Sequence, residues 1–112
     1  MHSVVKASEL RSGQGRTARF EGEPYGSGVS FFLVDIDPGE GPVLHRHPYS
    51  ETWVVLSGLV RVTDDDETLE AGRGDIVVVH PGTKHKFVNV GPDKLEMVCI
   101  HASPRMIQEN LE

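Results

Sequence analysis

The sequence predicts an all-β domain, either a β-sandwich or a jelly-roll barrel, with a short C-terminal helix after it. Eight or so short segments rich in β-branched and aromatic residues recur along the chain, separated by clusters of Gly, Pro and Asp. Helical periodicity is absent until the last ten residues, so the crossover helices of a parallel α/β sheet are missing. At 112 residues, the chain has the length of one domain.

The N-terminal segment, residues 1–28, is weakly patterned and rich in Ser, Gly and Arg. Its short apolar pieces, Val4-Val5 and Leu10, are expected to pair as an edge strand. The composition changes at Val29, and the barrel is predicted over residues 29–102. We expect no chemistry in the segment that precedes it.

The first barrel strand is predicted in the sequence VSFFLVDI, which is apolar at both odd and even positions and ends at the turn Asp37-Pro38-Gly39. Such a pattern favours a strand that is covered on both faces. Further strands are predicted near residues 43–47, 52–56, 59–63, 68–69, 75–80, 84–89 and 95–101.

The last segment, residues 103–112, is predicted to be a helix. Ser103 can cap its N-terminus, and Pro104 suits the first helical position. Four residues follow at helical spacing: Met106, Ile107, Asn110 and Leu111. A helix of about eight residues is not stable alone, so we expect it to pack on the barrel or on a dimer partner.

Composition excludes several classes of protein. Cys99 is the only cysteine, which rules out an intramolecular disulfide and a zinc finger and fits a reducing cytoplasm. Lys and Arg number 11 against 17 Asp and Glu, without a basic cluster, so nucleic acid is a poor partner. No apolar run approaches the roughly 18 residues of a membrane span, and no export leader is evident. The expectation is a cytoplasmic protein without a membrane partner.

Two histidines and a glutamate stand close together in the middle of the chain. In an extended segment His45 and His47 project from the same face, since side chains alternate with a period of 2. Turn residues follow, and Glu51 then opens a new strand. If this strand pairs beside the first, the carboxylate lies next to both imidazoles, where all three can bind one ion.

The spacing of this stretch resembles the first signature motif of the cupin superfamily without a mismatch. Five residues separate Gly39 from His45, one separates the histidines, three precede Glu51 and six precede Gly58. The resemblance implies a jelly-roll barrel of the cupin type.

A second stretch resembles the other cupin motif. Gly74 is followed by Gly82, by His85 two residues later and by Asn89 after three more. This chain departs from the family where His80 stands in the place usually held by proline, with Pro81 beside it. Pro81-Gly82 still suits a tight turn, so the departure does not affect the expected fold.

The resemblance implies four ligands for one divalent ion, and the sequence does not choose among Fe, Mn, Ni and Zn. Three neutral imidazoles and one carboxylate leave one or two positions open on a six-coordinate ion. Open positions indicate a site that binds a substrate. The ligands are His45, His47, Glu51 and His85.

Other side chains are predicted near this site. Trp53 and Phe87 each lie two residues beyond a ligand and are expected to line the cavity. Tyr49 and His80 are candidates for moving a proton, and Glu51 is a candidate proton acceptor as well as a ligand. His101 shares a strand face with Met97 and Cys99 and is interpreted as a barrel residue with satisfied hydrogen bonds.

The predicted function is that of a metal-dependent enzyme acting on a small organic molecule. Dioxygenase-type oxidoreductase chemistry is placed slightly ahead of isomerase, cyclase or lyase chemistry, because the ligand set does not choose among the cupin reactions. The alternative is a non-catalytic binding or sensing module with a structural metal. A homodimer is expected, since members of the family commonly form dimers.

Overall fold

The structure, a computed structural model, describes all 112 residues and is built from two five-stranded antiparallel sheets. Two short 3₁₀ turns occupy Ala7–Leu10 and Glu23–Tyr25. The ten strands are β1 (Ala18–Phe20), β2 (Ser30–Ile36), β3 (His45–Arg46), β4 (Glu51–Ser57), β5 (Leu59–Asp64), β6 (Thr68–Gly72), β7 (Ile76–Val79), β8 (His85–Asn89), β9 (Leu95–His101) and β10 (Glu109–Asn110).

The strand order is β1-β2-β9-β4-β7 in one sheet and β10-β3-β8-β5-β6 in the other. The all-β prediction is confirmed, and each of the eight predicted strands is present. No helix of the structure has the length and apolar character needed to cross a membrane.

Alternation along the central strands decides which side chains face the interior. In β4, Glu51, Trp53 and Val55 are buried while the residues between them are more exposed. In β9, every second residue from Leu95 to His101 is buried. The apolar core between the sheets consists of Val34, Trp53, Val55, Val60, Val62, Ala71, Val79, Leu95, Met97 and Cys99.

The glycine that closes the first motif is required by its backbone. Gly58 joins β4 to β5 with φ of 94°, in the left-handed region that favours glycine. A Cβ atom there would lie 2.6 Å from the carbonyl oxygen of Lys94. A side chain at this turn would therefore collide with the backbone at the start of β9.

The predicted C-terminal helix is wrong. Residues 103–112 form turns and the short strand β10, which pairs with β3. Backbone groups of this tail bond to the barrel instead of to each other: Leu111 N–H donates to the Leu44 carbonyl, and Met106 N–H donates to the Glu21 carboxylate. A segment this short gains more from these tertiary hydrogen bonds than from its weak helical propensity.

The predicted N-terminal edge strand lies elsewhere in its segment. Val4 and Val5 are not in a strand, and Leu10 ends a 3₁₀ turn. The edge strand is β1, which pairs with β2 and places Ala18 opposite Leu33. Ala18 is buried on the sheet, whereas Val4 is exposed. The edge strand therefore forms at the residue that the sheet can bury, and not at the two valines.

Candidate metal centre

Four ionisable side chains meet between the sheets at one end of the barrel. His45 and His85 lie directly opposite each other on β3 and β8, Glu51 begins β4, and His47 follows β3 in the turn that leads to it. Their ligand atoms all lie within 4.8 Å of one another. His45, His47, Glu51 and His85 are 5%, 3%, 4% and 1% exposed, respectively.

Each of the three imidazoles is held by a main-chain carbonyl through Nδ1. The Nδ1 atoms of His45 and His85 lie 2.7 and 2.8 Å from the carbonyl oxygens of Val43 and Thr83, two residues before each histidine. His47 Nδ1 lies 2.8 Å from the carbonyl oxygen of Ile107 in the tail. Because a carbonyl only accepts, Nδ1 carries the hydrogen and Nε2 keeps its lone pair in the neutral ring.

The Nε2 atoms of His47 and His85 lie close to one carboxylate oxygen. Glu51 Oε1 lies 3.2 Å from Nε2 of His85 and 3.3 Å from Nε2 of His47. Nε2 of His47 is buried without a hydrogen-bond partner, an arrangement that costs free energy unless a proton or a cation fills the space. Three imidazole nitrogens and a carboxylate fit a divalent ion of the first transition series, so this cluster can bind a metal.

The electrostatics of the cluster keep Glu51 ionised. Burial raises the pKa of its carboxyl, but the neighbouring imidazoles of His101, His47 and His85 together lower that pKa to well below the usual range. Burial lowers the pKa of His45 and favours its neutral form, which is the form that binds a metal. For His85, burial lowers the pKa, but the hydrogen bonds to Glu51 and to the Thr83 carbonyl outweigh it, and the net pKa is raised.

His101 reaches the cluster, although the sequence predicted only a barrel residue with satisfied hydrogen bonds. It pairs with Glu51 across β4 and β9, and its Nε2 lies 3.3 Å from Glu51 Oε2. Its alternation with Cys99 and Met97 already indicated an inward side chain. The register between β4 and β9 could not be read from the sequence, however, and only that register brings His101 to Glu51.

A cavity of about 340 Å³ lies beside the cluster. Its exposed lining residues, Glu40, Gly41 and Gln108, mark its mouth. The other residues that line it are Thr17, Phe32, Val34, Ile36, Pro42, His45, His47, Glu51, Phe87, Cys99 and His101. Apolar side chains thus form much of the wall next to three residues of the cluster.

The remaining predicted site residues occupy three different places. Phe87 lines the cavity, whereas Trp53 lies behind it in the core, with ring centroids 5.0 Å apart, and is not a lining residue. Tyr49 stacks on His47 at 5.1 Å and contacts His101, but it does not line the cavity. His80 is exposed after β7, and the structure does not bring it to the cluster.

Asn89 satisfies backbone groups near the ends of the strands. Its side-chain amide donates to the carbonyls of Ile36 and Asp93, at 3.2 and 2.9 Å. Its oxygen accepts from Gly91 N–H at 3.0 Å. The last residue of the second motif therefore links the end of β2 to the loop before β9, and its hydrogen bonds do not involve the metal-binding cluster.

Comparison with known proteins matches this chain to the family model described as "Cupin domain" over residues 32–101. Among curated relatives, the uncharacterised protein MJ1618 of Methanocaldococcus jannaschii is 34% identical over 67 residues, 59% of this chain and 54% of that protein. Polyketide synthase CurC of Streptomyces cyaneus is 38% identical over 73 residues, 64% of this chain and 47% of that protein. The match thus spans about half the length of either relative.

Among solved structures, oxalate decarboxylase of Bacillus subtilis, studied for its Mn(II) centres, superposes with a TM-score of 0.79 at 24% identity. The superposition covers 91% of this chain and 29% of that chain. At this level of identity the likeness shows a common fold.

Proposed function

The chain belongs to the cupin domain family, and from this premise we propose that it binds one divalent metal ion and acts on a small organic molecule in the adjoining cavity. The proposed ligands are His45, His47, Glu51 and His85. The observation that carries the proposal is the convergence of three Nε2 atoms and a carboxylate in a buried space, each ring oriented by a main-chain carbonyl.

The proposed ion is Fe, Mn, Ni or Zn, and the Mn(II) centres of a structural neighbour support manganese among these. When bound, such an ion supplies Lewis acidity and, for the redox-active metals, electron transfer to a coordinated substrate. The chain's own contribution is to hold the ligands in one geometry and to surround the cavity with apolar walls that exclude water.

The charges around the cavity favour a particular class of substrate. Besides the cluster, Glu40 is the only charged residue that lines it, and no Lys or Arg does. Three cations are sequence neighbours of lining residues, and each is already paired: Arg16 lies 3.0 Å from Asp35, Arg46 lies 2.9 Å from Glu109, and Lys86 lies 3.3 Å from Glu112. A ligand with several negative charges would find no partner other than the metal.

We therefore place the substrate among neutral or singly charged molecules that present two neighbouring oxygens to the ion and an apolar body to the walls. A polyketide, a chain of alternating carbonyl groups, belongs to this chemical class, and CurC is a polyketide synthase by name. Phe32, Val34 and Ile36 would contact the apolar body, since all three line the cavity.

Ligand binding to the metal-loaded protein tests this class directly. Catechol and 3,4-dihydroxybenzoate share one chelating group and differ by a carboxylate. We expect catechol to bind roughly tenfold more tightly, about 1.4 kcal/mol, because the carboxylate of its analogue lacks a cationic partner. Equal affinities, or tighter binding of the analogue, would exclude the substrate class while leaving metal binding intact.

Oxygen-dependent oxidation is proposed ahead of isomerase, cyclase or lyase chemistry, and O2 uptake separates the two groups. The test is an oxygen-electrode and product assay of metal-loaded protein with a panel of diketones, enediols and sugar acids. If no member is consumed although metal is bound, the enzyme proposal fails in favour of a non-catalytic binding or sensing module.

A further inference from the structure

A chain of contacts links the C-terminal tail to the far oxygen of Glu51. Ile107 N–H donates to the Tyr49 hydroxyl at 3.1 Å. That hydroxyl lies 2.6 Å from Nδ1 of His101, and Nε2 of His101 lies 3.3 Å from Glu51 Oε2. Neither Tyr49 nor His101 is one of the proposed ligands.

One arrangement of hydrogens lets each group in this series donate to the next. Because the Tyr49 oxygen accepts from Ile107, the hydroxyl hydrogen is free to be donated to His101 Nδ1. Nδ1 is then an acceptor, and the hydrogen of the neutral ring resides on Nε2. Nε2–H thus faces the carboxylate at 3.3 Å, and it makes no hydrogen bond to any other group; at this distance its contact with Oε2 is an approach and not yet a formed hydrogen bond.

The two oxygens of Glu51 therefore have different surroundings. Oε1 lies near Nε2 of His47 and of His85, at 3.3 and 3.2 Å. Oε2 lies on the side of His101. A hydrogen bond to a carboxylate is among the stronger ones in a protein, and a buried imidazole without a partner would be destabilising.

We propose that His101, oriented by Tyr49, is a positioning residue that caps Oε2 of Glu51, so that the carboxylate binds the ion through Oε1 alone. The inference rests on the proposed metal site. Its consequence is that Glu51 occupies one coordination position instead of two, which leaves a position open on the cavity side for the substrate.

The test compares three variants of the cobalt-loaded protein by metal affinity and by the visible absorption of Co(II). We expect His101→Ala to weaken metal binding about 10- to 100-fold, the usual effect of losing an outer-shell partner. Its absorption should also become weaker, because a second carboxylate oxygen raises the coordination number. His101→Gln retains an N–H donor and should recover most of the affinity. Tyr49→Phe should show a smaller loss in the same direction.

Met97→Leu serves as the matched control, since Met97 is buried on the same face of β9 but lies outside the cluster. It should retain the affinity and spectrum of the wild type. A purely structural role for His101 would instead lower the melting temperature of the metal-free protein, without a spectral change and without rescue by Gln.

The results distinguish failure of the proposed metal site from failure of the role proposed for His101. If wild-type protein binds no metal, the proposed function fails, and this inference fails with it. If the wild type binds metal and His101→Ala matches it in affinity and spectrum, the positioning role alone is overturned. Should the Ala variant not fold, Tyr49→Phe decides: an unchanged affinity and spectrum would overturn the role in the same way.

Discussion

At the scale of single residues, the cluster is organised by nitrogen atoms that do not face it. The Nδ1 atoms of His45, His47 and His85 are each bound to a main-chain carbonyl, and this fixes which nitrogen faces the carboxylate. Part of this arrangement could be predicted. The alternation of His45 and His47 placed both on one face, whereas the carbonyl of Ile107 comes from a tail that was expected to be helical.

The first residue-scale prediction concerns pH. The pKa of His85 is raised, so a proton competes with the metal there at a higher pH than at an ordinary imidazole, whose pKa is about 6.5. In the metal-free protein, a raised histidine pKa stabilises the fold at low pH, and that stabilisation is lost as pH rises through it. The affinity for metal changes in the opposite direction and rises with pH, because the imidazole must be deprotonated to bind the ion.

We therefore expect the difference in melting temperature between metal-loaded and metal-free protein to widen from about pH 5.5 to about pH 8. Differential scanning fluorimetry with and without a chelator measures it. The exposed-histidine variant His80→Ala should give the wild-type profile. A difference that stays constant over this range would contradict the linkage between His85 and the metal.

The second residue-scale prediction concerns charge at the mouth of the cavity. Gln108→Lys adds a cation at a lining position and should raise the affinity for 3,4-dihydroxybenzoate by up to about fivefold, since an exposed ion pair contributes at most about 1 kcal/mol. Catechol binding should not change. Gln14→Lys adds the same charge outside the cavity and should have no effect on either ligand, as isothermal titration calorimetry would show.

At the scale of the elements, the C-terminal tail is part of the site. β10 pairs with β3, and Ile107, just before β10, supplies an acceptor to His47 and a donor to Tyr49. The local sequence favoured a helix there, but an isolated helix of ten residues is not stable. The tail pairs with the free edge of β3 instead. Strand existence was predictable from composition and turns, whereas strand register and edge pairing depend on contacts far apart in sequence.

Removal of residues 103–112 should therefore weaken metal binding about 10- to 100-fold while the barrel still folds, because His47 loses the acceptor that orients it. A chelator competition assay measures the affinity, and circular dichroism reports the fold. Removal of residues 111–112 alone leaves Ile107 in place and should cost far less. An unchanged affinity in the longer truncation would show that the tail does not support the site.

At the scale of the whole molecule, the barrel and the ion should stabilise each other. The four ligands come from both sheets, with His45 and His85 in one and Glu51 in the other. An ion that bridges them links the sheets and binds only the folded state. The two motifs predicted that the four ligands meet at one site. They did not predict that Trp53 lies in the core, since alternation along a strand shows that a side chain points inward but not how deep it lies within the barrel.

Metal present at a hundred times its dissociation constant should add about 2.7 kcal/mol to the free energy of unfolding. The melting temperature should rise by several degrees as a result. Calorimetry before and after chelation, with metal loss confirmed, measures the shift. Identical melting curves would contradict a metal that binds the native state preferentially.

The homodimer stays a prediction. The outer face of the first sheet carries apolar side chains, among them Ile76 and Val78, which are 66% and 54% exposed. If two copies associate through this face, Ile76→Asp should shift the protein to monomer, since an unpaired buried carboxylate costs several kcal/mol. Light scattering after size exclusion measures the mass, and Leu69→Asp on the other sheet is the control. A dimer that survives Ile76→Asp would exclude this face.

The measurement that tests the central claim most directly is the metal content of purified protein, compared between the wild type and its ligand variants. We expect stoichiometric divalent metal in the wild type and in His80→Ala, whose histidine is exposed outside the cluster. His47→Ala and His85→Ala should lose the metal while keeping the β-rich circular dichroism spectrum. Full metal occupancy in both ligand variants would contradict the assignment of the site.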